Sequence, residues 1–393
     1  MSSADNSHFD VIVVGLGAMG SATLYQAAKR GARVLGIDKY TPPHDRASSH
    51  GDTRLTRLAI GEGRHYVPYA MRSHEIWREL EAATGEDILT VTGGLFFCGE
   101  EQGSPVHGAS DFIGETVASA EAYGIEHEVL DSAELGKRFP QFKLNGIERG
   151  YYEPEAGFVR PEKAIEVQLA EAQKRDATVL NNTEVLSIEA TSPTSAVVKT
   201  ADATYTADKV VVSTGAWISK FFGPLFPNVF EVYRQCLFWV DTEIPIENFL
   251  PDRFPVYIRT DKIRDDVLYG FPSVDGPEGG IKIASEYYGE TCDPDEGLYP
   301  VTPEETEEML ALASRFLKIG TNCYRASPCL FTVTPDGEFV MDEHPEHPAL
   351  IFASPCSGHG FKHSSAIGER LATMALGSEC DLDLSHFRLA RFS

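Results

Sequence analysis

Short apolar runs alternate with polar or glycine-rich turns along most of the chain, and the first of these runs is the most informative. Val11–Val14 is wholly apolar, which predicts a buried strand, and helix-favouring residues fill Ser21–Arg30. A second, mainly apolar run, Arg33–Ile37, ends at Asp38 and predicts another strand. The pattern therefore predicts one complete β-α-β unit at the start of the chain.

The later segments mix both periodicities. Apolar residues at helical spacing predict a helix over Tyr69–Ala83, and residues 230–300, rich in Tyr, Phe, Val and Ile between turns, predict a β-rich second lobe. Further helices are predicted at Asp111–Tyr123, Ser132–Phe139, Pro161–Arg175 and Ser364–Leu376, and further strands at Gly94–Cys98, Val185–Ile188, Ala196–Lys199, Thr204–Thr206, Val210–Thr214 and Leu350–Ser354. The chain has no Pro/Ser-rich linker, so the two lobes are predicted to interleave in an α/β fold of α+β character.

Size and charge narrow the possible partners. A chain of 393 residues predicts two lobes, and a formal net charge of −25 argues against nucleic acid and anionic membranes as partners. A small basic pocket inside an acidic shell still leaves room for an anionic substrate. The seven cysteines form no CxxC pair, and the first ten residues lack the features of a signal peptide, so a reducing cytoplasm is predicted.

A glycine turn follows the first predicted strand and carries the clearest motif. Gly15, Gly17 and Gly20 form G-x-G-x-x-G between strand and helix, and Asp38 lies 18 residues after Gly20. This context predicts a dinucleotide site, in which the helix N-terminus binds the pyrophosphate and Asp38 accepts hydrogen bonds from the ribose hydroxyls. The motif does not separate FAD from NAD. The alternative is a glycine turn that binds nothing.

Other blocks of sequence resemble the family of monomeric sarcosine oxidase and N-methyltryptophan oxidase, which are FAD-dependent amine oxidases of the D-amino acid oxidase superfamily. These blocks stand in the family's order and span nearly the whole chain. They are Ser48–Arg57 with Gly61–Arg64, Tyr269–Ser273 with Lys282, Cys329–Thr332, Asp342–His347 and Ser357–Lys362.

The resemblance implies a fold and a reaction. The implied fold has a Rossmann-like FAD-binding domain of glutathione-reductase type, made of residues 1–82, 150–220 and 322–393. Residues 83–149 and 221–321 then form the β-rich substrate domain. The implied reaction is oxidation of a carboxylate-bearing secondary amine by a monomeric enzyme with covalent FAD, using dioxygen and releasing hydrogen peroxide.

Cys329 is the implied point of covalent attachment to the flavin. Such attachment needs a thiolate, for which nearby His50 and Arg54 are expected to supply a positive field. The alternative is an ordinary buried cysteine. The family often has two adjacent histidines where this chain has Ser49 and His50. The resemblance also implies cofactor contacts at Ser49, His50, Val185, Gly358, Gly360 and Lys362.

The resemblance assigns the substrate's carboxylate to Arg57 and Lys362, with Arg54 on the flavin side. Arg54 and Arg57 are three residues apart, so on an extended segment they face opposite sides. The alternative is a pair of solvated surface arginines. Lys282 lies in an apolar strand-like run, and its family counterpart favours oxygen reduction beside the flavin; a snorkelling edge lysine is the alternative.

Three further positions complete the candidate site. The resemblance implies that His359 lies near flavin and substrate, and Tyr269 is either a wall of the substrate cavity or a structural residue. A metal site at His359 and His363 has no evident third ligand. Glu286 departs from the family, which has a histidine four residues after the lysine; we hypothesise that Glu286 alters substrate choice by pairing with a cationic or hydroxylated group, and a surface role is the alternative.

The sequence leaves the substrate open among sarcosine, a larger N-methyl amino acid and a cyclic imino acid. Rival functions are a flavin oxidase or dehydrogenase of primary amino acids, a biosynthetic tailoring amine oxidase, and a non-catalytic flavin-binding redox sensor. Peroxide formation separates the oxidase from the dehydrogenase, and reduction by an amine without oxygen separates an enzyme from a sensor.

Overall fold

The computed structural model describes residues 7–99, 111–222, 229–261, 266–276, 278–286 and 288–392. The helices are α1 Ala18–Lys29, α2 Val67–Thr84, α3 Phe112–Tyr123, α4 Ser132–Arg138, α5 Pro161–Gln173, α6 Ile218–Phe222, α7 Pro303–Ala313 and α8 Ser364–Leu376. The first strands are β1 His8–Val14, β2 Val34–Ile37, β3 Arg54–Thr56, β4 Leu89–Val91, β5 Gly94–Cys98, β6 Glu128–Asp131, β7 Arg149–Glu153, β8 Gly157–Val159, β9 Thr178–Leu180 and β10 Val185–Ser192. The remaining strands are β11 Ser195–Thr200, β12 Thr204–Val212, β13 Glu231–Thr242, β14 Val256–Asp261, β15 Asp266–Phe271, β16 Ile281–Ser285, β17 Ile319–Val333, β18 Val340–Glu343 and β19 Leu350–Ser354.

The first sheet contains the predicted β-α-β unit. Its parallel centre runs β9-β2-β1-β12-β19, and β18 adds an antiparallel edge beside β19. Helices α1, α5 and α8 pack together, and α1 and α8 also contact β1. Gly368 of α8 lies so close to Ala22 of α1 that an added Cβ would stand 2.3 Å from the alanine Cβ. The glycine turn after β1 is thus held at the carboxyl end of a parallel sheet, where such folds bind ligands.

One strand prediction is wrong in the first sheet. Thr204–Thr206 and Val210–Thr214, predicted as two strands, belong to the single strand β12, which ends at Val212. Its polar first half pairs antiparallel with β11, and its apolar second half lies parallel between β1 and β19. One neighbour of β12 changes from β11 to β19 along its length. This explains why its residues change from polar to apolar although the strand continues.

The second sheet is the predicted β-rich lobe. Its order is β17-β13-β16-β15-β14-β5-β7-β6, and all neighbours are antiparallel except β14 and β5. Strands from residues 94–98 and 149–153 join those from residues 231–333, so the lobes interleave in sequence. Cys329 lies on β17, within this sheet. The domain boundaries given above remain a prediction.

A small third sheet has the strand order β3-β8-β4. Arg54 lies on its edge strand, β3. Among the helices of the described residues, none combines the length and the apolar character needed to cross a bilayer.

Candidate active site

The glycine turn has the geometry that its motif predicts. Gly15 has φ +86°, and an added Cβ would meet the carbonyl oxygen of Ser213 at 2.7 Å. An added Cβ on Gly20 would stand 1.8 Å from the carbonyl oxygen of Gly15, so only glycine allows the helix to approach the turn. The carboxylate of Asp38 accepts hydrogen bonds from the backbone N–H groups of Leu16, at 2.7 Å, and Tyr40, at 2.8 Å.

A cavity of about 330 Å³ begins at this turn. Gly15, Gly17 and Asp38 line one part of it, and α1 presents its N-terminus there, where the backbone N–H of Ala18 donates to Oγ of Ser49 at 3.3 Å. The buried hydroxyls of Thr214 and Ser354 also line this cavity and have no hydrogen-bond partner. A helix N-terminus and unpaired hydroxyls are groups that a phosphate-bearing dinucleotide requires, so the residues fit such a cofactor.

A second cavity of about 70 Å³ adjoins the first. Four residues line both cavities, which places the two spaces on either side of one shared wall: Arg54, Phe331, Gly358 and Phe361. Since one enclosed water needs roughly 10–15 Å³ of such volume, this cavity admits only a few non-hydrogen atoms. The second cavity therefore suits a small molecule placed against one end of the cofactor.

Arg54 joins the two cavities to Cys329. Its Nη2 lies 3.7 Å from Sγ of Cys329, and it also donates to the carbonyl oxygen of Ser48 at 2.5 Å. Burial raises the pKa of the Cys329 thiol, whereas Arg54 and Lys282 act to lower it. The expected positive field from His50 is wrong: burial and the charge of Arg54 lower its pKa to about 4, so the ring is neutral at pH 7.

Lys282 lies in the second sheet behind the cavity walls and is 2% exposed. Its ammonium donates to the carbonyl oxygens of Gly51, at 2.7 Å, and Thr53, at 2.6 Å, and stands 4.1 Å from the ring centroid of Phe271. Burial, with the charge of Arg54, lowers its pKa well below the ordinary value. The lysine thus joins the second lobe to the segment that leads into Arg54.

Arg57 and Lys362, the predicted carboxylate clamp, meet at Glu62. Arg57 Nη2 lies 2.5 Å from Glu62 Oε2, and Lys362 Nζ lies 3.5 Å from Glu62 Oε1. All three side chains are at least 95% buried. Burial lowers the pKa of Lys362 to about 8, although Glu62 acts to raise it. Arg54 and Glu286 also line the small cavity, so three cations and two carboxylates leave a net positive charge around it, which favours an anion there.

The opposite walls of the small cavity are aromatic and acidic. Tyr269, Glu286 and His359 all line it. The hydroxyl of Tyr288 donates to Glu286 Oε2 at 3.0 Å, so the acid that departs from the family faces the cavity and not bulk solvent alone. His359 stacks on Phe339, with ring centroids 4.7 Å apart.

The structure brings most of the predicted site residues to the two cavities. Ser49, Val185, Arg54, Gly358 and Gly360 line the larger one with Gly15, Gly17 and Asp38, and Tyr269, Glu286, His359 and Lys362 line the smaller one. Arg57, His50, Lys282, Cys329 and Gly20 stand behind these walls, since neither cavity includes them. His359 and His363 have ring centroids 6.2 Å apart, and no metal-ligand cluster of three groups occurs within the described ranges.

Sequence reasoning missed two acids that organise the site. Glu62 lies in the block Gly61–Arg64, which resembles the family, but the sequence did not indicate that it pairs with both Arg57 and Lys362. Glu162, the second residue of α5, accepts the backbone N–H groups of Gly51, at 2.6 Å, and Asp52, at 3.2 Å. Its position directly after Pro161 marked a helix N-terminus, but nothing local indicated which distant turn it holds.

Comparisons with known proteins agree with this geometry. A family model described as FAD dependent oxidoreductase matches residues 10–374. The chain is 38% identical over 392 residues to monomeric sarcosine oxidase of Bacillus sp. strain B-0618, covering 98% of this chain and 97% of that protein. It is 32% identical over 387 residues to N-methyl-L-tryptophan oxidase of Yersinia pestis strain Pestoides F, covering 98% and 99%. Its fold matches NikD, an unusual amino acid oxidase essential for nikkomycin biosynthesis, with TM-score 0.83 at 20% identity over 98% of each chain.

Proposed function

The chain belongs to the FAD dependent oxidoreductase family, and on that basis we propose that it is an oxidase of a small, carboxylate-bearing secondary amine. The observation that carries the proposal is a small cavity that adjoins the larger one: Lys362 lines it, and Arg57, buried behind its wall, pairs with the same Glu62. Relatives named for the oxidation of sarcosine and N-methyl-L-tryptophan support the same class of substrate.

Arg57 and Lys362 bind the carboxylate of the substrate in this proposal. Each charge-assisted hydrogen bond contributes about 1.5–3 kcal/mol, and the rigid guanidinium adds direction. Glu62, which lines the cavity, pairs with both cations and so fixes Lys362 in the cavity wall and Arg57 directly behind it. Fixing the carboxylate fixes the adjacent carbon–nitrogen bond, which must lie against the cofactor to react.

FAD, when bound, would accept the two electrons that leave the amine when the C–H bond next to the nitrogen breaks. The overall reaction converts amine and dioxygen into imine and hydrogen peroxide, and water then hydrolyses the imine to a carbonyl compound and an amine. The nitrogen reacts unprotonated, so the site must bind the neutral amine or remove its proton. Lys282, whose Nζ donates to the carbonyl oxygens of Gly51 and Thr53, is proposed to favour oxygen reduction by stabilising developing negative charge.

We propose that the FAD is covalently held through Cys329. The guanidinium of Arg54, 3.7 Å from Sγ, supports thiolate formation at a buried cysteine whose pKa is otherwise raised by burial. The neutral state of His50 leaves this task to Arg54 and Lys282. Cytoplasmic location and a monomeric state remain part of the proposal.

Glu286 is proposed to set substrate choice. Its carboxylate lines the cavity that also holds Lys362, so a hydroxyl or cation on the substrate meets an acceptor there. Glu286→Gln keeps the size of the side chain and removes its charge. We expect this variant to change the ranking of amines by kcat/KM; an unchanged ranking and unchanged KM values would show that the carboxylate does not select substrate.

The test starts with acid precipitation of the purified protein. If the flavin of the wild type stays with the pellet and that of the Cys329→Ser variant goes into the supernatant, the covalent link is supported. Flavin in the supernatant of the wild type contradicts the link. A panel of sarcosine, larger N-methyl amino acids and cyclic imino acids is then assayed for anaerobic flavin bleaching and for peroxide. Protein that contains no flavin, or flavin that no amine reduces, would refute the proposed function.

A further inference from the structure

The turn between β17 and β18, residues 334–339, contacts two separate parts of the small cavity's wall. Glu338 Oε2 accepts a hydrogen bond from the hydroxyl of Tyr66 at 2.6 Å and lies 2.9 Å from Nε2 of His65. One residue earlier, the carbonyl oxygen of Gly337 lies 3.3 Å from Nε2 of His359. The carboxylate and the neighbouring carbonyl of one turn therefore hold different segments of the site.

The first segment carries Glu62. Before it, the carbonyl oxygen of Ile60 accepts from the hydroxyl of Ser119 on α3 at 2.9 Å, and Gly61 packs so tightly against α3 that no side chain would fit. After it, Tyr66 is bound by Glu338 and is 1% exposed. Glu62 thus stands on a short arch fastened at both ends.

The second segment carries His359. Its ring stacks on Phe339 of the turn and meets the edge of Tyr66, with centroids 4.7 and 5.0 Å apart. Its backbone carbonyl oxygen accepts a hydrogen bond from Lys362 Nζ at 2.8 Å. The turn consequently fixes the peptide group to which the Lys362 ammonium is bound.

The segments that carry Glu62 and His359 both contact Lys362. Its ammonium contacts the carbonyl oxygen of His359 and, at 3.5 Å, the carboxylate of Glu62; the 334–339 turn binds the His359 ring and, through Tyr66, the end of the segment that carries Glu62. We propose that Glu338 is a positioning residue that, through this turn, fixes where the Lys362 ammonium stands in the substrate cavity. The inference rests on the proposed role of Lys362 in binding the substrate's carboxylate.

The hydrogen bond from the Tyr66 hydroxyl gives Glu338 a larger stabilising contribution than its partial exposure suggests. Glu338 is 27% exposed and His65 20% exposed, and exposed ion pairs of this kind contribute little. The Tyr66 hydroxyl is buried, and burial raises its pKa, so it remains a protonated donor at all working pH values. Removing its acceptor leaves a buried donor unpaired, which costs far more than the ion pair contributes.

The test compares four forms of the flavin-loaded protein: wild type, Glu338→Leu, Glu338→Gln and a matched control, Glu346→Leu, at an exposed position beyond β18. Binding of propionate, a carboxylate without an amine, is measured by titration calorimetry between pH 6.5 and 9.5. We expect Glu338→Leu to weaken binding by about tenfold, the loss of one charge-assisted hydrogen bond at its lower value. Glu338→Gln keeps an oxygen acceptor for Tyr66 and should bind within about twofold of wild type.

The pH dependence separates positioning from general damage. The charged and titratable groups around Lys362 are Glu62, Arg57, Glu286, Arg54 and His359, together with His363, whose pKa burial holds well below its ordinary value. Glu62 acts to raise the pKa of Lys362, whereas burial lowers it. If the arch loosens and Glu62 moves away, the pKa of Lys362 should therefore fall. In Glu338→Leu the pH at which propionate binding weakens should move below that of the wild type, whereas Glu346→Leu should leave it unchanged.

Equal propionate affinity and an equal pH midpoint in Glu338→Leu and wild type would overturn the inference, as would equal losses in the Leu and Gln variants. If Glu338→Leu does not fold, Tyr66→Phe decides, because it removes only the hydroxyl and must weaken binding in the same direction. Wild-type protein that binds no propionate and oxidises no amine contradicts the proposed function, which is a different outcome from a failure confined to the variants.

Discussion

The protonation of Lys362 is expected to control binding of the substrate's carboxylate. Burial lowers the pKa of this lysine to about 8, so it is protonated below that pH and loses its charge above it. A charged lysine binds an anion and a neutral lysine does not, so affinity for a carboxylate should fall as pH rises through about 8. A bound carboxylate raises the lysine's pKa, so the fall continues until the pKa of the complex is reached.

The size of this fall follows from the contact itself. One charge-assisted hydrogen bond contributes about 1.5–3 kcal/mol, and each 1.36 kcal/mol is tenfold, so losing it weakens binding by about 10- to 150-fold. Lys362→Met should show this loss at pH 7 and no further change up to pH 9. Lys362→Arg keeps a permanent charge, so its affinity should stay constant over the same range even if its different shape lowers the affinity.

Titration calorimetry with propionate avoids the ionisation of an amine substrate, which would otherwise add its own pH dependence. The buffer ionic strength is held constant, because distant surface charges are screened by salt while a buried contact is not. A wild-type affinity that is flat from pH 7 to 9.5, or a Lys362→Met variant that keeps the wild-type slope, would refute the assignment of this titration to Lys362.

Three other predictions test the fold and the site. Gly20→Ala should abolish flavin binding or folding, because its Cβ would stand 1.8 Å from the carbonyl oxygen of Gly15; normal flavin absorbance in the purified variant would contradict this. Lys282→Met should slow peroxide formation by at least about tenfold while anaerobic reduction by an amine changes less, as stopped-flow absorbance would show. Trp77→Ala, at a fully buried position of α2, should lower the free energy of unfolding by about 3–5 kcal/mol in urea titrations, and a loss below 1 kcal/mol would mean that the site collapses around the cavity.

Local features of the sequence were sufficient for several of the helices and strands and for the cofactor turn. The predicted bounds of Gly94–Cys98, Leu350–Ser354 and Ser364–Leu376 are those of β5, β19 and α8. The glycine spacing with Asp38 located the turn, because positive φ and close helix approach are requirements that only nearby residues decide. Hydrophobic periodicity and backbone preference depend on a few neighbouring residues. They can therefore be recognised in the sequence before the tertiary structure is known.

The tertiary structure decided what those residues do to one another. Arg54 stands only four residues after His50, but nothing local indicated that His50 would be buried and so kept neutral, and β12 changes its neighbour from β11 to β19 in a way that its own pattern could not reveal. Glu62 meets Lys362, 300 positions further along the chain, and Glu338 reaches back to Tyr66. Charge states, ion pairs and cavity walls depend on desolvation and on distances between segments remote in sequence, and only the folded chain sets these.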